Sequence, residues 1–396
     1  MQICFFTDNK ALNFNPLTLT RPLDDLRIGI FSLRRKWEYR LKVNNTCRTV
    51  LPYLEGEFPK GTLNKTDDCL WINSRCLPDQ QLIHHIQKLQ TGQALTHNKD
   101  IVAAKVDGDT SSRLFNNNQF DPGVVDQTSV VESRLIENVW DLLTYNADEI
   151  ERDLTLTNLS ALKPSRHPSL VTSASENIYA AEDVTIEPGC IFLANEGPVI
   201  LQQGVTIQAG SILRGPVSVG ENSTVKMGAR IYGGTTLGPF CKAGGEVANC
   251  IFHSYSNKGH EGYTGDSVFG QWVNIGAGTN ISNLKNNYNT VKLPHWDSKQ
   301  EVESGQQFLG TIMADHSKTA INTKLNTGTM CGVSANIFMS GFPPKLIPSF
   351  SWVGSSDMQT YHFEKALETM AAMMVRRNKE LDSDYQHMMR HLFKNR

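Results

Sequence analysis

Residues 205–246 read VTIQAG, SILRGP, VSVGEN, STVKMG, ARIYGG, TTLGPF, CKAGGE, seven hexads in unbroken phase. The third positions are Ile207, Leu213, Val219, Val225, Ile231, Leu237 and Ala243. The first positions are Val205, Ser211, Val217, Ser223, Ala229, Thr235 and Cys241, nearly all small. A helix cannot use this pattern, because six residues advance it by about 600° and the apolar stripe wanders. Short strands joined by tight turns use it well: each hexad is one flat side of a coil, and its aliphatic residue stacks on the next coil's counterpart. Gly, Asn and Pro take the turn dihedrals. A β-sandwich of short strands is the rival, but seven hexads in phase favour a parallel β-helix of hexapeptide repeats.

Outward from this stretch the phase starts at Ile178 and Val184, breaks over 190–199 and resumes after 204. It breaks again over 250–266, returns at Phe269, Ile275 and Ile281, and breaks over 284–306. It resumes at Leu309, Ile321, Val333 and Met339. The breaks are expected to be loops leaving the prism, where function tends to sit. A one-dimensional stack exposes flat faces and ends, so self-association is expected.

Residues 1–165 differ. Strand candidates at 2–6, 69–73, 101–106 and 129–131 alternate with helical stretches at 29–41, 79–90 and 137–152. That alternation predicts an α/β domain with a mostly parallel sheet. Leu162–Leu170, with two prolines and no periodicity, reads as a linker. The expected domains are 1–165, a β-helix over 175–345, and a helical tail over 355–396. In the tail, Phe363, Leu367, Met370, Met374 and Leu381 make a packing stripe on one helix.

The 396 residues carry 38 Lys+Arg against 40 Asp+Glu, which argues against a general nucleic-acid binder. With 39% hydrophobic residues and no run near the ~20 residues of a bilayer span, no membrane role is expected. The start, Met1-Gln-Ile-Cys-Phe-Phe-Thr-Asp8, reads as a first strand rather than a leader. Eight cysteines without a C-x-x-C pair read as reduced thiols of a cytoplasmic protein.

The stretch 250–279 concentrates the polar chemistry. It holds His253, Lys258, His260, Tyr263 and Asp266, followed by Val273-Asn-Ile-Gly-Ala-Gly-Thr279. The run Gly259-His260, Tyr263, Gly265-Asp266 and Val273–Thr279 resembles the acetyltransferase half of the bifunctional N-acetylglucosamine-1-phosphate uridyltransferase/glucosamine-1-phosphate N-acetyltransferase family. Leu17-Thr-Leu-Thr-Arg-Pro-Leu-Asp-Asp-Leu-Arg-Ile-Gly29, Asn326-Thr-Gly-Thr329 and Asn336-Ile-Phe338 resemble its divergent Bacteroidetes-type branch. In that branch a shortened sugar-nucleotidyltransferase-like α/β domain precedes the helix. The resemblance covers essentially the whole chain, is specific over 230–340 and is weaker before 165.

The resemblance implies a left-handed parallel β-helix, a homotrimer, and small-molecule substrates: a sugar 1-phosphate, acetyl-CoA and a nucleoside triphosphate, with Mg²⁺ if the nucleotidyl half is active. It implies His260 as general base, since an imidazole suits removal of a proton from an ammonium. Glu246 then orients that base and Asn274 positions the amine. Arg230 holds the sugar phosphate, since a guanidinium fork suits a phosphate dianion, and Tyr263 binds the sugar. Ala277, Asn283, Thr311 and Thr329 fall where the family binds acetyl-CoA, although the two threonines also read as plain hexad positions. The family's second phosphate cation is a lysine where this chain has Ala248, and the acceptor-loop lysine is displaced by the insertion at 284–290. Lys258, Lys285 or Lys226 are the candidate substitutes. His316, in Asp315-His-Ser-Lys318, is the rival base.

The N-terminal half lacks the glycine-rich phosphate loop of that superfamily. Arg21, Arg27 and Lys36, with Arg34 and Arg35, form a cationic cluster that either binds a triphosphate or is a solvated helix face. Asn73-Ser-Arg75 stands where the metal aspartate is expected, which leaves Asp8, Asp24, Asp25 and Asp107 as unassigned metal ligands. The alternative function is an acetyltransferase for another amino-sugar with a non-catalytic, nucleotide-binding N-terminal domain. Two further rivals are a zinc enzyme with His253, His260 and His316 contributed by adjacent subunits, and a silent scaffold.

Overall fold

The computed structural model describes residues 2–354 and 357–396. The expected domain starts at residues 1 and 355 lie outside them. Internal contacts divide the chain into two compact units. The first is Met1–Phe14, Thr20–Leu26 and Phe31–Val139; the second is Asn15–Leu19, Arg27–Ile30 and Trp140–Arg396.

The first unit is built on a six-stranded sheet in the order Cys47–Arg48, Gln2–Phe6, Cys69–Asn73, Asp100–Val106, Gln93–His97, Gln127–Val130. Side chains alternate along Gln2–Phe6: Ile3 and Phe5 join one apolar cluster, Cys4 and Phe6 the other. Both faces are therefore covered, as expected of an α/β sheet. The sheet is mixed rather than mostly parallel. Asp100–Val106 runs antiparallel to both neighbours, because Asn98 and Lys99 both adopt positive φ (48° and 73°). That is the two-residue hairpin geometry, a turn chemistry the apolar pattern did not disclose.

The second unit is a parallel β-helix. Thr206 pairs with Thr224 and Thr224 with Lys242, so successive coils are eighteen residues apart. The third- and first-position residues of all seven hexads are buried, none more than 1% exposed. The break over 190–199 is a coil lengthened by three residues, since Ile178 pairs with Val199 at a step of twenty-one. The insertion at 284–306 does leave the coil and carries the hairpin Lys292–Pro294 with Glu301–Glu303.

Residues 250–266 do not leave it. Glu246–Ser254 and Tyr263–Gln271 run parallel from Glu246↔Tyr263 to Ser254↔Gln271. The coils here are one or two residues short: Arg230 pairs with Glu246 and Glu246 with Tyr263, at steps of sixteen and seventeen. Hexad phase is lost while the chain path continues. After the insertion the inward column is Met313, Thr319, Leu325, Cys331 and Ile337, all buried. The sequence reading set that column two residues out of step, because Thr and Cys take inward positions there. Ile321 is 71% exposed.

Helix Asp141–Leu154 is fixed to the coils by one buried amide. Asn146 Nδ2 donates to the Gly234 carbonyl (2.7 Å), and its Oδ1 accepts from Gly29 N–H (2.7 Å). Gly29 has φ of +66°, and a Cβ there would lie 2.7 Å from the Glu149 carbonyl oxygen, which accounts for the glycine ending Arg27-Ile-Gly29. The tail forms two helices, Phe363–Val375 and Ser383–Lys394, rather than one. Asp382 caps the second by accepting from Tyr385 N–H, so Leu381 falls in the break.

At one corner each coil turns through a residue of positive φ. Phe240, Tyr255, Trp272 and His316 hold φ of 55–61°. A non-glycine residue there costs of order 1–2 kcal/mol. Their rings stack in a column, Phe240 on Tyr255 at 4.9 Å, Tyr255 on Trp272 at 4.4 Å and Trp272 on His316 at 6.0 Å. Aromatic pairs return roughly 0.5–1.5 kcal/mol each, enough to offset much of that strain.

Leu213→Ala should lower the unfolding free energy by roughly 2–5 kcal/mol, whereas exposed Met227→Ala should change it by less than about 0.5 kcal/mol. Urea denaturation midpoints make the comparison, and equal effects would mean that the hexad column is not the core.

Candidate active site

Lys242, Asn257, Asn274 and Lys318 are successive partners on one face of the β-helix. Their next neighbours Ala243, Lys258, Ile275 and Thr319 are buried, so by strand alternation the first four face outward. Arg230, Glu246 and Tyr263 form a second outward column on another face. His260 is exposed at the corner between the two. Gly262 sets that corner: its φ is +118°, and a Cβ there would meet the Thr279 carbonyl oxygen at 2.1 Å. A side chain at 262 would push His260 and Tyr263 out of place.

His260, Asn274 and Ala277 line a common cleft of roughly 670 Å³. Lys226, Lys242, Lys318, Arg376 and Arg377 line it too. Lys318 donates to the His316 carbonyl (2.7 Å), and its burial lowers the ammonium to about 8. Arg230 lies between Glu246 (3.5 Å) and Glu261 (3.7 Å). Tyr263 OH accepts from Asn283 (3.0 Å), whose amide also donates to Asp266, and Asn249 donates to the same carboxylate at 2.7 Å. Burial raises the Asp266 carboxyl. Burial first, and then the Asp266 charge, push the Tyr263 phenol up to about 12, so it stays protonated. Asn283 is thus a support for Tyr263 rather than a member of the cleft lining.

Several expected residues lie elsewhere. Lys258 is 1% exposed, and its ammonium donates to the carbonyls of Gly244 (2.9 Å) and His260 (2.8 Å). Desolvation lowers it to about 8. It braces the His260 turn and is not presented to a substrate. Thr311 and Thr329 pair with each other as fully buried first-position residues of their hexads, which is the plainer of the two readings. His316 is 0% exposed, with Nε2 2.8 Å from Tyr385 OH, and is enclosed by protein. His253 is buried beside Ser254, so the three histidines of the zinc reading do not converge within this chain.

In the first unit, Arg21 is 1% exposed and paired with Asp25 (2.9 Å), and Lys36 is 0% exposed. Arg27 belongs to the second unit and donates to the His253 carbonyl (2.9 Å). Arg21 and Lys36 sit inside the fold and half-buried Arg27 is engaged by a carbonyl, so the three do not form an open triphosphate site. Asp107 caps helix Gly108–Asn116, and Asp24 is buried 3.4 Å from Arg48, its carboxyl pushed up to about 7 by desolvation. Asp8, Asp100 and Glu137 surround the fully buried guanidinium of Arg75 at 2.6, 2.8 and 3.1 Å, and Lys10 pairs with the last two. Asp8 follows and Asp100 opens a central strand of the sheet, where a ligand of an α/β sheet is expected. Among the described residues no group of three His, Cys, Asp or Glu is arranged for a metal ion. Mg²⁺ does not fit these acids while Arg75 and Lys10 hold them.

The cleft cations were legible only in part. Lys242 sits eighteen residues after Thr224 at an outward position, yet nothing in the linear order sets it beside Arg376 and Arg377.

Residues 3–160 match the family model described as sugar nucleotidyl transferase. The bifunctional protein GlmU of Bartonella bacilliformis is 35% identical over 147 residues, covering 35% of this chain and 30% of the relative. The bifunctional sugar-1-phosphate nucleotidylyltransferase/acetyltransferase of Sulfurisphaera tokodaii is 32% identical over 149 residues, 36% of each chain. A solved UDP-N-acetylglucosamine acyltransferase from Campylobacter jejuni aligns over 57% of this chain and 94% of its own, with 14% identity and a TM-score of 0.28. The chain spans about a third of the length of those two curated relatives.

Lys258→Met should cost roughly 1–3 kcal/mol of stability, because two buried carbonyls lose their donor. Unchanged stability together with a raised KM would instead make Lys258 a substrate ligand; thermal unfolding and steady-state kinetics separate the two.

Proposed function

We propose that the second unit transfers acetyl from acetyl-CoA to the amino group of glucosamine 1-phosphate, and that the first joins the resulting sugar 1-phosphate to a nucleoside triphosphate, UTP, giving UDP-N-acetylglucosamine. The match of residues 3–160 and the bifunctional relatives support the pairing of activities. The observation that carries the acetyl step is His260, exposed on a cleft that Asn274 and Ala277 also line.

His260 takes a proton from the acceptor ammonium, and Asn274 directs the freed amine. The nitrogen attacks the thioester carbonyl, the C–N bond forms, the C–S bond breaks, and the coenzyme leaves as thiolate to be protonated. Glu246, in register with Tyr263, donates its backbone N–H to the Gly262 carbonyl and so helps to hold the turn that carries His260. Tyr263 faces the acceptor as a neutral hydrogen-bond donor. The protein is read as a cytoplasmic homotrimer of stacked-coil prisms. All eight thiols are buried and unpaired, and no described helix is long and apolar enough to cross a membrane.

One observation favours a second reading of the first unit. The carboxylates at its strand ends are neutralised by Arg75 and Lys10, an arrangement suited to binding a nucleotide sugar without metal-dependent transfer.

His260→Ala should lower kcat for acetyl transfer by about 10²–10⁴ with the assembly intact; unchanged turnover would remove the imidazole from the mechanism. Pyrophosphate release from UTP that requires the sugar 1-phosphate and stops with a chelator supports nucleotidyl transfer. Binding without release supports the second reading.

A further inference from the structure

The cleft beside His260 gathers five cations, Lys226, Lys242, Lys318, Arg376 and Arg377, and among the described residues no carboxylate lines it. In a chain with formal net charge −2 that imbalance is local and costly. The crowding is visible in Lys242. Desolvation lowers its ammonium most, followed by repulsion from Arg377, Lys226 and Arg376. Arg377 lies in the turn between the two C-terminal helices and donates to Asn257, the register partner of Lys242, at 3.4 Å. Like charges held together without acids lower stability and persist where a ligand completes them.

The other side of His260 is built differently. Arg230, the guanidinium assigned to the sugar phosphate by resemblance, already stands between Glu246 and Glu261. Both carboxylates compete with an incoming phosphate and repel it. At the position where a second cation is expected stands Ala248, in register with Gly265. That side offers a phosphate one cation shared with two carboxylates; the cleft offers several with no carboxylate among its lining residues.

We infer that the phosphate-bearing end of a substrate seats in this cleft, bound by Lys242 and Arg377 with Lys226 and Arg376 around it, and not on Arg230. This rests on the acetyl-transfer reading for its substrates but not for its binding chemistry. The shared chemistry is a phosphate mono- or diester oxyanion cluster, carried by both the sugar 1-phosphate and the coenzyme. A guanidinium and an ammonium lining one cleft suit a group with several anionic oxygens.

The test uses the full chain and the variants Lys242→Gln, Arg377→Gln, the pair together, and Arg230→Gln. Inorganic pyrophosphate alone should raise the thermal midpoint of the wild type and have little effect on the double variant. Without ligand, Lys242→Gln should be as stable as wild type or more so, since it relieves repulsion; a purely structural lysine would lower stability. In kinetics, preference for glucosamine 1-phosphate over glucosamine, or for acetyl-CoA over a phosphate-free acetyl thioester, should fall about tenfold per cleft variant. Which preference falls names the substrate seated there. The inference is overturned if pyrophosphate stabilises the double variant as it does wild type. It is equally overturned if only Arg230→Gln erodes either preference. A wild type that binds pyrophosphate but acetylates neither sugar sinks the acetyl-transfer reading and leaves the phosphate seat standing.

Discussion

Every feature of the second unit depends on one constraint, the in-register parallel pairing of each coil with the next. Pairing satisfies the backbone donors and acceptors of short strands that cannot bond within themselves, and it brings identical hexad positions into contact. Ile207 therefore sits against Val225, and Ile212 against Arg230, without any choice by the side chains concerned. Outward positions inherit the same order. Lys242, Asn257, Asn274 and Lys318 come together from 76 residues of sequence because a register, not a loop, lines them up. Rigid columns of this kind suit chemistry that needs a base and two substrates held without reorganisation.

The repeat was legible because small first and aliphatic third positions are demanded by a narrow interior with no room for exceptions. Legibility failed where the path stayed regular and the count did not. The shortened coils at Glu246 and Tyr263 broke the six-residue phase, so a wall segment looked like an excursion. After the insertion, Thr319 and Cys331 fill inward positions with residues that carry no apolar signal, and the column was misplaced by two. The mixed sheet of the first unit turned on the backbone of Asn98 and Lys99, a local conformation rather than a hydrophobic pattern.

Within the site, the sequence discloses residue types but not their surroundings. His260, Asn274 and Ala277 do meet at one cleft. Lys258 and Lys36 are cations that the fold places inside, where a lysine is rarely expected, and sequence gives no sign of the carbonyls that hold Lys258. Thr311 and Thr329 show how a functional resemblance and a structural repeat can claim the same position; their complete burial is what the repeat requires. The clamp of Asp8, Asp100 and Glu137 on Arg75 draws on residues up to 129 positions apart, a distance at which only the sheet topology can introduce them.

The ring column at the positive-φ corner ends on Tyr385, whose ring meets His316 edge-on at 5.7 Å. Tyr385 opens the last helix, and Trp272 and Tyr255 from the same column line the cleft. The indole is thus clasped by a phenol on one side and an imidazole on the other, two neighbours that dim its emission. Intrinsic fluorescence becomes a native gauge: lifting of the terminal helix, or arrival of a guest in the groove, alters the brightness of one tryptophan without any added dye.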